Sequence, residues 1–179
     1  TDWQEAIFQQ APMQSYQLSA TGGSENTQFA ISGGYFKQEG VIINSDFERY
    51  SFRTNLDQKV SNRFKVGSSV SLSYIKSRGV LTGAQSSGTG TLLPGATTSA
   101  LLFPPTLPVL DSTVAGGYTF EDDRGRNIGN PVADALETDN ISNYTRAIAN
   151  VYGIYKIMDG LDFKASAGID GFSSKDNRF

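Results

Sequence analysis

The chain has 179 residues, enough for one sizeable core and short for two. It contains no cysteine and no histidine, which excludes disulfides, thiol catalysis and Ser-His chemistry and leaves only oxygen ligands for a metal; a net charge of -3 removes the basic footprint of a nucleic-acid binder. No stretch approaches the roughly 18 apolar residues of a spanning helix, yet a membrane β-barrel passes the same filter, because its lipid-facing residues alternate with polar ones.

In chain order, Leu18 and Ala20 alternate with Gln17 and Ser19 before the turn signal at Gly22 to Thr27. Phe29, Ile31, Gly33 and Tyr35 then alternate with Gln28, Ala30, Ser32 and Gly34. After a connection at Gly40 to Glu48, Tyr50, Phe52, Thr54 and Leu56 oppose Ser51, Arg53, Asn55 and Asp57. The link at Ser61 and Asn62 leads to the clearest pattern: Phe64, Val66, Val70, Leu72 and Tyr74 on one face, Lys65, Gly67, Ser69, Ser71 and Ser73 on the other. A period of two is a strand with one apolar and one polar side. A long connection from Ser77 to Asn143 follows. Then Ala147, Ala149, Val151, Gly153, Tyr155 and Ile157 share a face, Asp159-Gly160 reads as a tight hairpin turn, and Leu161, Phe163, Ala165, Ala167 and Ile169 oppose Asp162, Lys164, Ser166, Gly168 and Asp170.

The fold class is therefore all-β, with antiparallel up-and-down hairpins. The connections alternate short and long, as in an up-and-down membrane barrel with short periplasmic turns and longer outer loops. A Greek-key sandwich has no reason to keep that order. The aromatics Phe29, Tyr35, Tyr50, Phe64, Tyr74, Tyr155 and Phe163 fall near strand ends on the apolar sides, which suits girdles at two lipid interfaces and equally suits a sandwich core. Arg53, Asn55, Asp57, Lys65, Lys164 and Asp170 lie on polar faces, where they meet a wet interior, a plug or substrate, or pair with one another.

The long connection opens with an irregular Gly/Ser/Thr-rich part up to Ala100. It continues through extended backbone enforced by Pro104, Pro105 and Pro108, and contains a short helix near Pro131 to Glu137. Leu101, Leu102 and Phe103 are expected to pack on a rim or a partner, since an exposed apolar cluster is a liability. The acidic turn at Glu121, Asp122 and Asp123 lacks calcium-loop spacing, and adjacent carboxylates do not set the separation that glycoside hydrolysis needs. The sequons at Asn140 and Asn143 and the glycines near Gly90 carry no further signal.

The words of the sequence resemble a family at this point. "TDWQ" at Thr1, "LSATGG" at Leu18, "GYFKQEG" at Gly34, "SDFERYSFRTNLD" at Ser45 and "KVGSSVSLSY" at Lys65 are similar to the early barrel region of SusC-like TonB-dependent outer-membrane transporters. "FPPTLPVLD", "GNPVA" and "YKIMDGLDFKASAGID" extend the likeness downstream. The resemblance implies a segment of a large barrel of about 22 strands, with the plug and remaining strands lying outside residues 1–179. It implies no enzyme and no cofactor, but uptake of glycans or other large nutrients such as peptides in the outer membrane of a Bacteroidota-like cell. The implied partners are a SusD-like lipoprotein lid, the TonB complex through a preceding region, and lipid. On that reading Phe64, Val66, Val70, Leu72 and Tyr74 face lipid, while Tyr118, Phe120, Asp122, Arg124 and Arg126 reach outward to substrate or lid. The competing reading is a soluble all-β carbohydrate- or protein-binding module.

Overall fold

The computed structural model describes residues 1–82, 85–86, 92–93, 95–113, 117–119 and 128–178. A short helix α1 (Trp3–Ile7) leads into β1 (Met13–Gly23), β2 (Thr27–Glu39), β3 (Asp46–Lys59) and β4 (Phe64–Arg78). The excursion that follows holds a two-residue pair, β5 (Gln85–Ser86) with β6 (Leu92–Leu93), and the helices α2 (Ala96–Leu102) and α3 (Pro131–Leu136). The chain returns as β7 (Asn140–Met158) and β8 (Leu161–Arg178). The main sheet has the order β1-β2-β3-β4-β7-β8, and every neighbouring pair is antiparallel. This is the up-and-down meander expected from the alternation.

The short connections, 24–26, 60–63 and 159–160, all lie at one end of the sheet, and 40–45 and 79–139 lie at the other. Asp159-Gly160 forms the turn between β7 and β8 with φ of 83° at Gly160, as a tight hairpin requires. Asp159 keeps a negative φ and the register shifts between Lys156 and Met158, so the turn is of the bulged kind rather than type I′.

The strands run further toward the loop end than alternation suggested. β3 begins at Asp46 rather than Tyr50, and the β4–β7 ladder takes in Ser77 and Arg78 on one side and Ile141 to Asn143 on the other. The short helix expected near Pro131 is present as α3. The stretch expected to be irregular up to Ala100 instead contains α2, and α1 is a further element that the alternation does not predict.

The core is in an unusual place. Every buried hydrophobic residue among those described, from Trp3 to Ala135, lies outside the main sheet. Trp3, Ile7, Ala100, Phe103, Ile128 and Val132 form one cluster at the loop end, with Ala6, Ile43, Leu107, Val109 and Tyr118 packed on it. Three separate parts of the chain, residues 1–9, 40–45 and the described residues between 95 and 139, thus fold together as a cap on the sheet. Among the described residues nothing packs on either face of the sheet, which is a single layer.

Candidate functional site

Register decides which side chains share a face, because a strand's side chains alternate. Tyr74 pairs with Tyr50, Tyr50 with Tyr35 and Tyr35 with Tyr16. Their rings form a ladder with centroids 6.4, 5.0 and 6.2 Å apart along the row. Leu72 pairs with Phe52 and Ala147, Val70 with Thr54 and Ala149, and Val66 with Gly153. Phe64 pairs with Tyr155, which pairs with Phe163, making a second aromatic row toward the turn end. All five residues singled out on β4 therefore lie on one continuous apolar face. Leu18, Ile31, Phe52, Leu72, Val151 and Ile169 on this face are all exposed. Tyr16, which is not one of the expected girdle residues, completes the upper row; its position two before Leu18 carries the signal.

The spacing of the two aromatic rows is informative. Tyr74 and Phe64 are ten residues apart on one strand, about 33 Å at the usual rise. At the 35–45° tilt of membrane barrels this projects to about 25 Å, the height of their apolar band.

The opposite face is polar and partly self-satisfied. Asp57 accepts a hydrogen bond from the Tyr152 hydroxyl and lies 3.8 Å from Lys65 Nζ, while Lys164 sits 5.1 Å from the centre of the Tyr152 ring. Arg146 donates two hydrogen bonds to Asp170, at 3.1 and 2.6 Å. Arg53 and Asn55 are on the same face, in the rows between these groups. The structure thus brings Asp57, Lys65 and Lys164 together and gives Asp170 a partner the sequence reading had passed over.

The cap is held by specific polar contacts as well as by its core. Trp3 meets Phe103 edge to face with centroids 4.8 Å apart, and its Nε1–H donates to the Pro104 carbonyl at 2.9 Å. The Pro104 carbonyl also accepts from the Leu107 amide at 3.3 Å, so the proline segment turns here and shares one acceptor between its own backbone and the indole. Asp2 caps α1 by accepting from the Gln4 and Glu5 amides.

Asn130 is fully buried at the N-cap of α3. Its Oδ1 accepts from the Val132 and Ala133 amides at 3.0 and 3.3 Å, and its Nδ2 donates to the Val109 and Thr119 carbonyls at 2.9 and 3.1 Å. One side chain ties the helix start to two other segments, and Pro131 at the first helical position gives up no hydrogen bond. The sequence signal was there, Asn before Pro at a helix start, although only the helix was read from it. Asn130→Asp keeps the cap but replaces both donors with charge facing carbonyls. It is expected to cost the cap about 2–3 kcal/mol, as for other buried groups left unpaired, seen as faster proteolysis within residues 79–139 of the intact protein.

Two carboxyls of the cap depart from ordinary behaviour. Burial raises the Asp134 pKa, partly offset by the hydrogen bond from Ser99 Oγ at 3.1 Å. The stability that this carboxyl contributes is therefore present below the unfolded aspartate pKa and is lost as pH rises through its raised folded value. Asp111 is held below the usual range by hydrogen bonds from the hydroxyl and amide of Thr113.

Of the residues expected to reach outward, Tyr118 is instead half-buried, paired with Leu110 and packed on the cap core. Phe120, Asp122, Arg124 and Arg126, with Glu121 and Asp123, lie outside the described residues. Leu101, Leu102 and Phe103 divide. Phe103 is 3% exposed inside the cluster, while Leu101 and Leu102 stand on the cap surface at 65% and 46%.

No family model matches the chain. Over its whole length it is 37% identical to the TonB-dependent receptor P3 of Formosa agariphila and 30% identical to the TonB-dependent receptor P26 of the same organism. It covers 17% of each of these relatives, so it spans about a sixth of their length. A stretch of 56 residues is 36% identical to the TonB-dependent receptor SusC of Bacteroides thetaiotaomicron, covering 31% of this chain and 6% of that protein. Among solved structures, the RagAB peptide transporter superposes with a TM-score of 0.72 at 26% identity, over 99% of this chain and 19% of that one. The RagAB peptide importer in its open-open state gives 0.71 at 26% identity, with the same coverage of both chains. A single-layer meander, an exposed apolar face between two aromatic rows, and likeness along the full chain agree with one another. The chain belongs to the SusC-like TonB-dependent receptors of the outer membrane, as a segment of the β-barrel wall with one long connection at the cap end of the sheet.

Proposed function

We propose that this chain supplies wall and outer cap to an importer that takes up glycans or peptides under TonB drive. The face carrying Phe64, Val66, Val70, Leu72 and Tyr74 meets lipid, and the face carrying Arg53, Asn55, Asp57 and Lys65 meets the lumen. The observation that supports this most is the exposed apolar face of a sheet with no core of its own. A soluble binding module would have to cover Leu18, Ile31, Phe52 and Ile169 with a second layer, and the described residues supply none. The cap then lies outside the cell, where Leu101 and Leu102 offer an apolar contact to a SusD-like lid. Phe120, Asp122, Arg124 and Arg126 remain candidates for touching lid or substrate.

The topology has a direct test. Single cysteines at Asp159 and at Leu101 of the intact receptor are treated with a membrane-impermeant thiol reagent on whole cells. Leu101→Cys is expected to label and Asp159→Cys to stay unlabelled until the outer membrane is opened. Labelling of Asp159→Cys on intact cells reverses the orientation and with it the assignment of cap and lid.

A further inference from the structure

The lumen-side face has two arginines with no hydrogen-bonding or ionic partner among the described residues. Arg49 and Arg53 are four residues apart on β3, about 13 Å along the strand, and point to the same face. Arg49 lies 5.5 Å from the centre of the Phe36 ring, and Arg53 has no hydrogen-bonding, ionic or ring partner among the described residues. The contrast with neighbouring charges is clear. Asp170 is occupied by Arg146, and Asp57 by Tyr152 and Lys65.

The surroundings of the two arginines are small and hydroxylated. Ser32, Gly34, Ser51 and Ser71 line a groove of about 240 Å³ that Arg49 and Arg53 border. Two and three strands across the same face, Tyr144 on β7 and Phe172 on β8 stack with centroids 6.2 Å apart and planes 22° apart, and Phe172 is 66% exposed. Guanidinium forks match carboxylate and sulfate oxygens bidentately, and a flat exposed aromatic pair offers a surface to the apolar side of a sugar ring. An extended peptide bound by strand addition would need an open strand edge, but β2, β3 and β4 are each paired on both sides.

Resting on the importer reading, we infer that Arg49 and Arg53 form an anion-recognition subsite on the lumen wall. It takes carboxylate or sulfate groups of an acidic glycan, with the Tyr144–Phe172 pair as the stacking surface. The groove walls, low in dielectric, strengthen the attraction relative to bulk water.

The test uses the full-length receptor and four probes of similar length: an oligosaccharide bearing uronate, one bearing sulfate, a neutral one, and an acidic peptide. Affinity and uptake are measured for wild type, Arg53→Gln, Arg53→Lys and the double variant Arg49→Gln/Arg53→Gln, each checked for the heat-modifiable gel migration of a folded barrel. Each lost arginine should weaken binding of a charged oligosaccharide about tenfold or more. Arg53→Lys should fall between, and the neutral probe should be unaffected. The charged probe that loses more identifies the group recognised, carboxylate or sulfate. Equal loss for neutral and charged probes, no loss at all, or arginine-dependent binding of the acidic peptide alone would each overturn the inference and leave the importer reading standing. Failure of the wild type to bind or import any of the four would overturn both.

Discussion

Val70→Arg in the intact receptor is expected to lower barrel stability by about 2–4 kcal/mol, the cost of an arginine at the bilayer midplane of such barrels. Ser71→Arg, one residue on, is expected to cost much less. Val70 lies near the middle of the stretch between Tyr74 and Phe64, between Thr54 and Ala149 in the ladder, and faces the same way as both aromatic rows. Ser71 lies between Arg53 and Ile148 on the opposite face. Reversible unfolding in urea with lipid vesicles measures both. Equal costs at the two positions would mean that the apolar face is not a lipid face.

The second large effect concerns the cap. Phe103→Ala and Trp3→Ala each remove an aromatic from a cluster that holds three chain segments together, a loss of about 3–5 kcal/mol. Trp3→Ala also leaves the Pro104 carbonyl without its indole donor. The cap core is small, so a loss of this size opens it as a unit while the barrel ladder stays closed. Limited proteolysis should cut residues 79–139 rapidly in either variant, with heat-modifiable migration of the barrel retained. A cap that remains resistant in both variants would show that the barrel rim, not this cluster, holds the loop.

Much of the wall was legible in the sequence because a membrane barrel writes its two faces as strict alternation. The five residues of β4, the partner rows on β2, β3, β7 and β8, and the Gly160 turn all follow from that period. The strand ends toward the cap were not legible. Past the tyrosine row, Lys37, Glu48, Lys76 and Asn143 continue the ladder on the apolar side of the sheet. There both faces meet polar surroundings, so alternation disappears while pairing goes on.

The helices of the cap were harder for a different reason. α2 buries Ala96, Ser99 and Ala100, small residues at helical spacing that no hydrophobic pattern records, and its Gly95 cap offers no side chain. α1 did carry signals, Asp2 as a cap and Trp3 with Ile7 four apart, but five residues of helix depend on Phe103 and Ile128, far along the chain. The inward turn of Tyr118 has the same origin. Its partners, Leu110 in the paired segment and the cluster around Trp3, come together only once the cap is assembled. Tertiary contacts between distant segments decide such elements, and local sequence does not hold them.

Which side of β4 meets lipid decides whether this chain is barrel wall. A nitroxide placed in turn at each position from Phe64 to Tyr74 of the full-length receptor in bilayers reports collision with oxygen, which concentrates in lipid, and with a polar nickel complex, which stays in water. Oxygen accessibility is expected to peak at 64, 66, 70, 72 and 74 and to be greatest near 70, with the nickel complex favouring 65, 67, 69, 71 and 73. A profile of opposite phase, or one without the period of two, would contradict the assignment of this chain to the barrel wall with its apolar face in the membrane.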